Sequence, residues 1–284
     1  MTKGAPSPWL YRYVVLVAAI SLLLIASGAV ITSTGLPAPD ASISSQDIHI
    51  RDAVVTFDPK HIAFATAVGL LSLGLAAWLT IADRRGWLCV LGWLALLALG
   101  FDSWTAWPLL MALPPSPAVI HACFAPLFFA STVAIAVFTS PGWHRDPEYV
   151  SDGGSSFLRV LALAAPALVI AQIVLGAYYR HKLLGVLPHI GFAMIVSLVT
   201  LIVSIVIMQR YPEHGALRSS AIWLLTIVLA QIALGVGAFT MELLDTQNTM
   251  ALVVITVCHV SVGALTLAAS LVMAIQVQRN ILHA

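Results

Sequence analysis

The sequence predicts an all-α polytopic membrane protein, with eight transmembrane helices arranged as two tandem four-helix bundles in a parallel repeat. Three observations carry that prediction. Of 284 residues, 60% are hydrophobic and 9% are charged, with a mean hydropathy of +0.99; an ordinary soluble domain carries roughly 25% charged residues. Eight apolar stretches are each long enough to cross a hydrocarbon core about 30 Å thick, which takes roughly 20 helical residues. Single histidines recur on every second stretch. The formal net charge of +1 offers no basic face to neutralise phosphates, which excludes nucleic acid as a partner and leaves membrane lipid. The apolar content excludes low-complexity disorder.

The spans are expected near 12–33, 58–81, 86–107, 117–139, 157–178, 186–208, 219–241 and 250–276. All are helical, because unpaired backbone groups cannot face lipid. The first follows Lys3 and Arg12, but its apolar run exceeds the roughly 7–15 residues of a signal-peptide core, so it reads as a retained helix. Gly35-Leu36-Pro37-Ala38-Pro39 ends it, and Pro59 suits the first turn of the second span. Asp83-Arg84-Arg85-Gly86 separates the second from the third, and Pro114-Pro115 the third from the fourth. Gly153-Gly154 precedes the fifth, and Tyr211-Pro212-Glu213-His214-Gly215 the seventh.

Basic residues orient the chain. With the N-terminus inside, Lys3, Arg12, Arg84, Arg85, Arg145, Arg159, Arg210, Arg218 and Arg279 lie on the cytoplasmic side, and only Arg51, Lys60, Arg180 and Lys182 outside. Nine against four predicts a multi-pass protein of the cytoplasmic (inner) membrane with both termini cytoplasmic. Cys89, Cys123 and Cys258 all fall in apolar runs, where they read as small buried hydrophobes rather than a disulfide framework or zinc site.

Short strings repeat between spans. Ile25-Ala26-Ser27-Gly28-Ala29 matches Ile173-Val174-Leu175-Gly176-Ala177, and Gln172-Ile173-Val174-Leu175-Gly176 matches Gln231-Ile232-Ala233-Leu234-Gly235. Leu97-Ala98-Leu99-Gly100 is a weaker copy. His61, His121, His189 and His259 fall on spans two, four, six and eight. The chain therefore divides into an N-terminal bundle, 1–145, and a C-terminal bundle, 146–284, in the same orientation.

Ionisable residues inside a bilayer are costly and mark function. Paired histidines facing across a four-helix bundle suit axial ligation of haem iron. Zinc wants three or four grouped ligands, which one histidine per helix does not supply. A proton path wants several carboxylates, and Asp58 and Asp102 are the candidates for it. A transporter predicts discontinuous helices or paired midplane charges, and neither is present. At the outer end of span five, Arg180 and Lys182 flank His181, placed to hold haem propionates by charge-assisted hydrogen bonds or to anchor the helix at the interface. His49, His144, His214 and His283 lie in loops or the tail and read as solvated.

These residues resemble the haem A synthase family, over most of the chain. The resemblance rests on Gly28-Ala29-Val30-Ile31-Thr32-Ser33-Thr34-Gly35-Leu36, on His121-Ala122-Cys123-Phe124-Ala125 through Phe138-Thr139-Ser140-Pro141-Gly142-Trp143, and on Gln172 to His181 followed by Leu187-Pro188-His189-Ile190. It implies that His189 and His259 ligate a resident haem b. It implies that His61 and His121 flank the site where a methyl group of haem O is oxidised to the formyl of haem A. It implies work beside haem O synthase, in the assembly of haem–copper oxidases. Where members carry Glu-x-x-His-Arg, with the Glu essential, this chain has Asp58-Pro59-Lys60-His61-Ile62. Asp58 would be the catalytic carboxylate, set back by one methylene, and the Arg is missing. The first outer loop lacks the cysteine pair of some members, and Gly100-Phe101-Asp102-Ser103 replaces a glycine-rich turn. The departures cluster in the N-terminal half. They favour the alternative of a non-catalytic haem-binding, electron-transfer or structural subunit that works with other membrane subunits.

Overall fold

The computed structural model describes residues 7–34, 59–106, 116–153, 156–244 and 250–282. Eight helices among them are long and apolar enough to cross a membrane. They are α1 (Pro8–Thr34), α2 (Pro59–Ala82), α3 (Gly86–Thr105), α4 (Ser116–Thr139), α5 (Phe157–Arg180), α6 (Val186–Arg210), α7 (Gly215–Leu243) and α8 (Met250–Asn280). Two short strands, β1 (Val150–Ser151) and β2 (Ile281–Leu282), pair in parallel. The protein is an all-α polytopic membrane protein.

The helices carry apolar side chains around their whole circumference, as membrane spans do. Leu70, Leu97, Val160, Leu198, Trp223 and Val236 are exposed on the outer surface, where hydrocarbon replaces water. Hydroxyls inside the spans bond back to carbonyls one turn earlier, as Ser72 does to Val68 and Thr200 to Val196, so their polarity is satisfied within their own helix. Apolar composition does not tell lipid-facing from interior positions. Cys258 is exposed and Cys89 and Cys123 are half-buried, which corrects the expectation that all three are buried.

Neighbouring helices pack in two closed rings: α1 on α2, α2 on α3, α3 on α4 and α4 on α1, then α5 to α8 in the same way. The rings meet where α8 packs on α1 and α4, and α4 on α5. Each ring has its own core. Val14, Leu75, Leu88 and Ile135 lie at the centre of the first, and Ile207, Leu217, Leu224 and Met273 of the second. Ile25, Phe129, Val196 and Leu267 fill the seam.

Both ring cores lie away from the histidine end. In the second ring no described residue between Leu229 and Gly263, nor between Val186 and Ile195, is buried. The opposite end is closed by the connection between the rings. There β1 pairs with β2, and Arg279 donates to the Trp143 carbonyl at 2.9 Å and lies 4.2 Å from the Trp143 ring centre. The Tyr211 hydroxyl donates to the Ser151 carbonyl at 3.1 Å. Arg210 bonds the Asp152 carbonyl and fills the space where a Cβ on Gly153 would project. Gly153 itself adopts φ +66°, which glycine takes without steric penalty.

His214 belongs to this closure. It is 4% exposed, which corrects the expectation that it is solvated. Its Nδ1 accepts from the Leu217 amide at 3.3 Å, capping α7, while Nε2 donates to the Glu148 carbonyl at 2.8 Å. The ring is buried because it satisfies a helix terminus and a linker carbonyl at once.

Candidate functional site

The site grows from a pattern repeated on consecutive helices: a glycine on one helix faces a histidine on the next. A Cβ on Gly176 would lie 2.9 Å from His189 Cε1, one on Gly235 3.0 Å from His259 Cε1, and one on Gly28 3.3 Å from His61 Cε1. At Gly176 a Cβ would force a shift, and at Gly235 and Gly28 the ring would have to give by a few tenths of an ångström, so the imidazoles rest on bare backbone. A polar neighbour holds each ring. Ser27 Oγ is 3.0 Å from His61 Nδ1, Gln172 Nε2 is 3.0 Å from His189 Nδ1, and Gln231 Nε2 is 3.4 Å from His259 Nε2.

His189 and His259 meet across the second ring of helices. Their ring centres are 6.3 Å apart and their planes stand at 81°. Two imidazoles bound to one metal from opposite sides have centres roughly 6.4 Å apart, given metal–nitrogen bonds of about 2.0–2.1 Å and the nitrogen-to-centre offset. Three buried polar atoms around the pair have no hydrogen-bond partner among the described residues: His259 Nδ1, Gln172 Oε1 and Gln231 Oε1. Buried polar atoms are rarely orphaned. An unpacked bundle end, two facing imidazoles and unsatisfied atoms beside them fit a group seated between the rings. As it stands, Gln172 donates to the His189 carbonyl at 3.0 Å and faces Nδ1. Ligation through Nε2 calls for that amide to turn its Oε1 onto Nδ1.

His61 and His121 are described through other neighbours. His121, on α4, sets Nδ1 3.1 Å from Asp102 Oδ1 and 3.2 Å from the Asp102 carbonyl, both on α3. Arg180 closes α5 against α1, donating to the Ala29 carbonyl at 3.0 Å and Ser33 Oγ at 2.9 Å, with Thr32 Oγ1 as a further acceptor. Lys182 sits at φ 60° with Nζ 5.6 Å from the Tyr179 ring centre. Tyr179 in turn donates to Glu242, joining α5 to α7. Between the two cations, His181 has its pKa held down to about 4 by burial first, then by the neighbouring Arg180 guanidinium. Asp58 lies outside the described residues. Among the described residues no three His, Cys, Asp or Glu side chains converge as a metal-binding group.

Sequence reasoning found the four histidines but not their supports. Gln172, Gln231, Gly28, Gly176 and Gly235 were visible as repeated strings, and the spacing Gln-x-x-x-Gly shared by α5 and α7 was the available signal. Asp102 carried no signal beyond being an acidic residue near a span. No family model and no curated protein matches this chain.

Proposed function

We propose that the chain is a haem-binding membrane oxidoreductase of the haem A synthase kind. In this reading haem b sits between His189 and His259, and haem O occupies the N-terminal half near His61 and His121. There its methyl group is oxidised to formyl, with Asp58 as the assisting carboxylate. The product serves haem–copper oxidase assembly, downstream of haem O synthase. The reading sets the chain in the cytoplasmic membrane with both termini inside, supported by the distribution of basic residues.

The observation that carries the haem assignment is the His189–His259 pair: 6.3 Å between ring centres, where no described residue of α6 from 186 to 195, nor of α7 and α8 from 229 to 263, is buried, beside three orphaned polar atoms. Haem, when bound, would supply a redox-active iron, and His189 and His259 would hold it. Gly176 and Gly235 keep the imidazoles close to the helix backbones, and the glutamine amides set ring orientation. The oxidase step itself rests on the resemblance of the motifs.

Purified protein should give the reduced-minus-oxidised spectrum of a low-spin haem and about one haem b per chain by pyridine haemochrome. His189→Ala or His259→Ala should abolish that signal. Cells that make haem O and this protein should accumulate haem A; haem O bound without haem A formed would sink the enzymatic claim. A non-catalytic haem subunit is the second reading, favoured by Ile62, 42% exposed, where the family has an arginine. Under it Asp58→Ala is silent, whereas catalysis predicts loss of haem A with haem b retained.

A further inference from the structure

We propose that Asp102 is the positioning residue of the N-terminal half: it holds the Nδ1 proton of His121, so that Nε2 is the nitrogen presented to a ligand. Asp102 is 5% exposed near the end of α3. Its Oδ1 lies 3.1 Å from His121 Nδ1, and its main-chain carbonyl lies 3.2 Å from the same nitrogen. A carbonyl can only accept, so the nitrogen facing it is the donor. A neutral imidazole carries one proton, and with that proton on Nδ1 the lone pair is on Nε2.

The two oxygens do not share this task equally. The carbonyl already accepts from Thr105 Oγ1 at 2.7 Å and the Ala106 amide at 3.2 Å. Oδ1 is buried and receives no well-aligned hydrogen bond among the described residues. A buried carboxylate oxygen in that condition has the greater demand for a donor, and His121 is the donor within reach. In the other half the group facing His189 Nδ1 is the Gln172 amide and not a carboxylate. An imidazole whose far nitrogen donates to a carboxylate is oriented, and is a more basic ligand through the other nitrogen. The halves therefore differ in kind: His121 is set to give electron density through Nε2 before anything binds. The functional meaning of this setting rests on the reading of the N-terminal half as a haem site; the proton position does not.

The test is nitrogen NMR of full-length, 15N-histidine-labelled protein in nanodiscs, reduced with dithionite so that any bound low-spin haem is diamagnetic. His121 is assigned by the resonance lost in His121→Gln. The expected result is a proton on Nδ1 in the unmodified protein and a shift of the tautomer population toward Nε2 in Asp102→Leu, where the already occupied carbonyl alone remains, with Asp102→Glu restoring the first pattern. A proton on Nε2 in the unmodified protein overturns the proposal without need of any variant. An Nδ1 proton unmoved in Asp102→Leu overturns the role of the carboxylate. Haem content of the same samples reports separately: haem-free protein with an Nδ1 proton on His121 defeats the functional reading and leaves this assignment standing.

Discussion

A histidine that is to act as a ligand inside a membrane has to be held, and here the absence of a side chain opposite does much of the holding. Gly28, Gly176 and Gly235 each leave bare backbone under an imidazole. In Gly235→Ala the new Cβ would lie 3.0 Å from His259 Cε1, so the ring has to give by a few tenths of an ångström and the spacing set for haem in the proposed reading is lost. The expected outcome is a haem-to-protein ratio, after detergent washing, reduced about tenfold or more. Gly100→Ala is the internal control: a Cβ there meets nothing within 4 Å, and haem content should be unchanged. Both glycines sit in the same Leu-Gly context in the sequence. That is why the repeat was legible and the supporting role was not: which face of the helix a glycine occupies depends on the neighbour across from it. For Asp102 the difficulty is similar, since its importance comes from a histidine nineteen positions away.

At the scale of elements, the spans were legible because length and apolarity alone decide what can cross a bilayer. Each of the eight expected stretches coincides with a helix among the described residues. Their ends were less legible, because tertiary contacts set them. α7 starts at Gly215, four residues before the expected 219, because His214 caps it, and histidine is not among the residues that signal a cap. α8 runs to Asn280 rather than 276 because β2 follows directly and is pinned by β1. The end of α5 shows how a terminus acquires a chemical property. Lys182 takes the left-handed conformation, with Leu183 N–H bonded to the Tyr178 carbonyl and Lys182 N–H to the Tyr179 carbonyl, a Schellman closure. That closure buries His181 beside Arg180. The unfolded chain takes up a proton at His181 near pH 6.5, the folded chain only near pH 4. Between those values the unfolded state binds more protons, so stability is complete above about pH 6.5 and declines as pH falls toward 4. Thermal unfolding in detergent from pH 7 to 4 should show that decline, and His181→Asn should flatten it; an identical slope in the variant would remove His181 as the cause.

Over the whole molecule, the two ends differ in how they are held. The linker between the rings is tied to the C-terminus through β1 and β2, and to the α6–α7 turn through Arg210, Tyr211 and His214. Arg85 holds the Phe138 carbonyl at 2.9 Å and Arg159 holds Gln278 at 2.7 Å. Several basic residues counted for orientation thus also brace this end, a role that charge counting cannot see. Removing residues 281–284 should free the linker while leaving the helices intact. Trypsin cleavage after Arg145, whose carbonyl accepts from Arg279, should quicken several-fold at unchanged circular dichroism; an unchanged rate would show that the strand pair does not restrain it. Because the contacts of the braced end tie the linker to the second ring through backbone and side-chain bonds that involve none of His61, His121, His189 and His259, a substitution at those histidines leaves the two rings joined at this end.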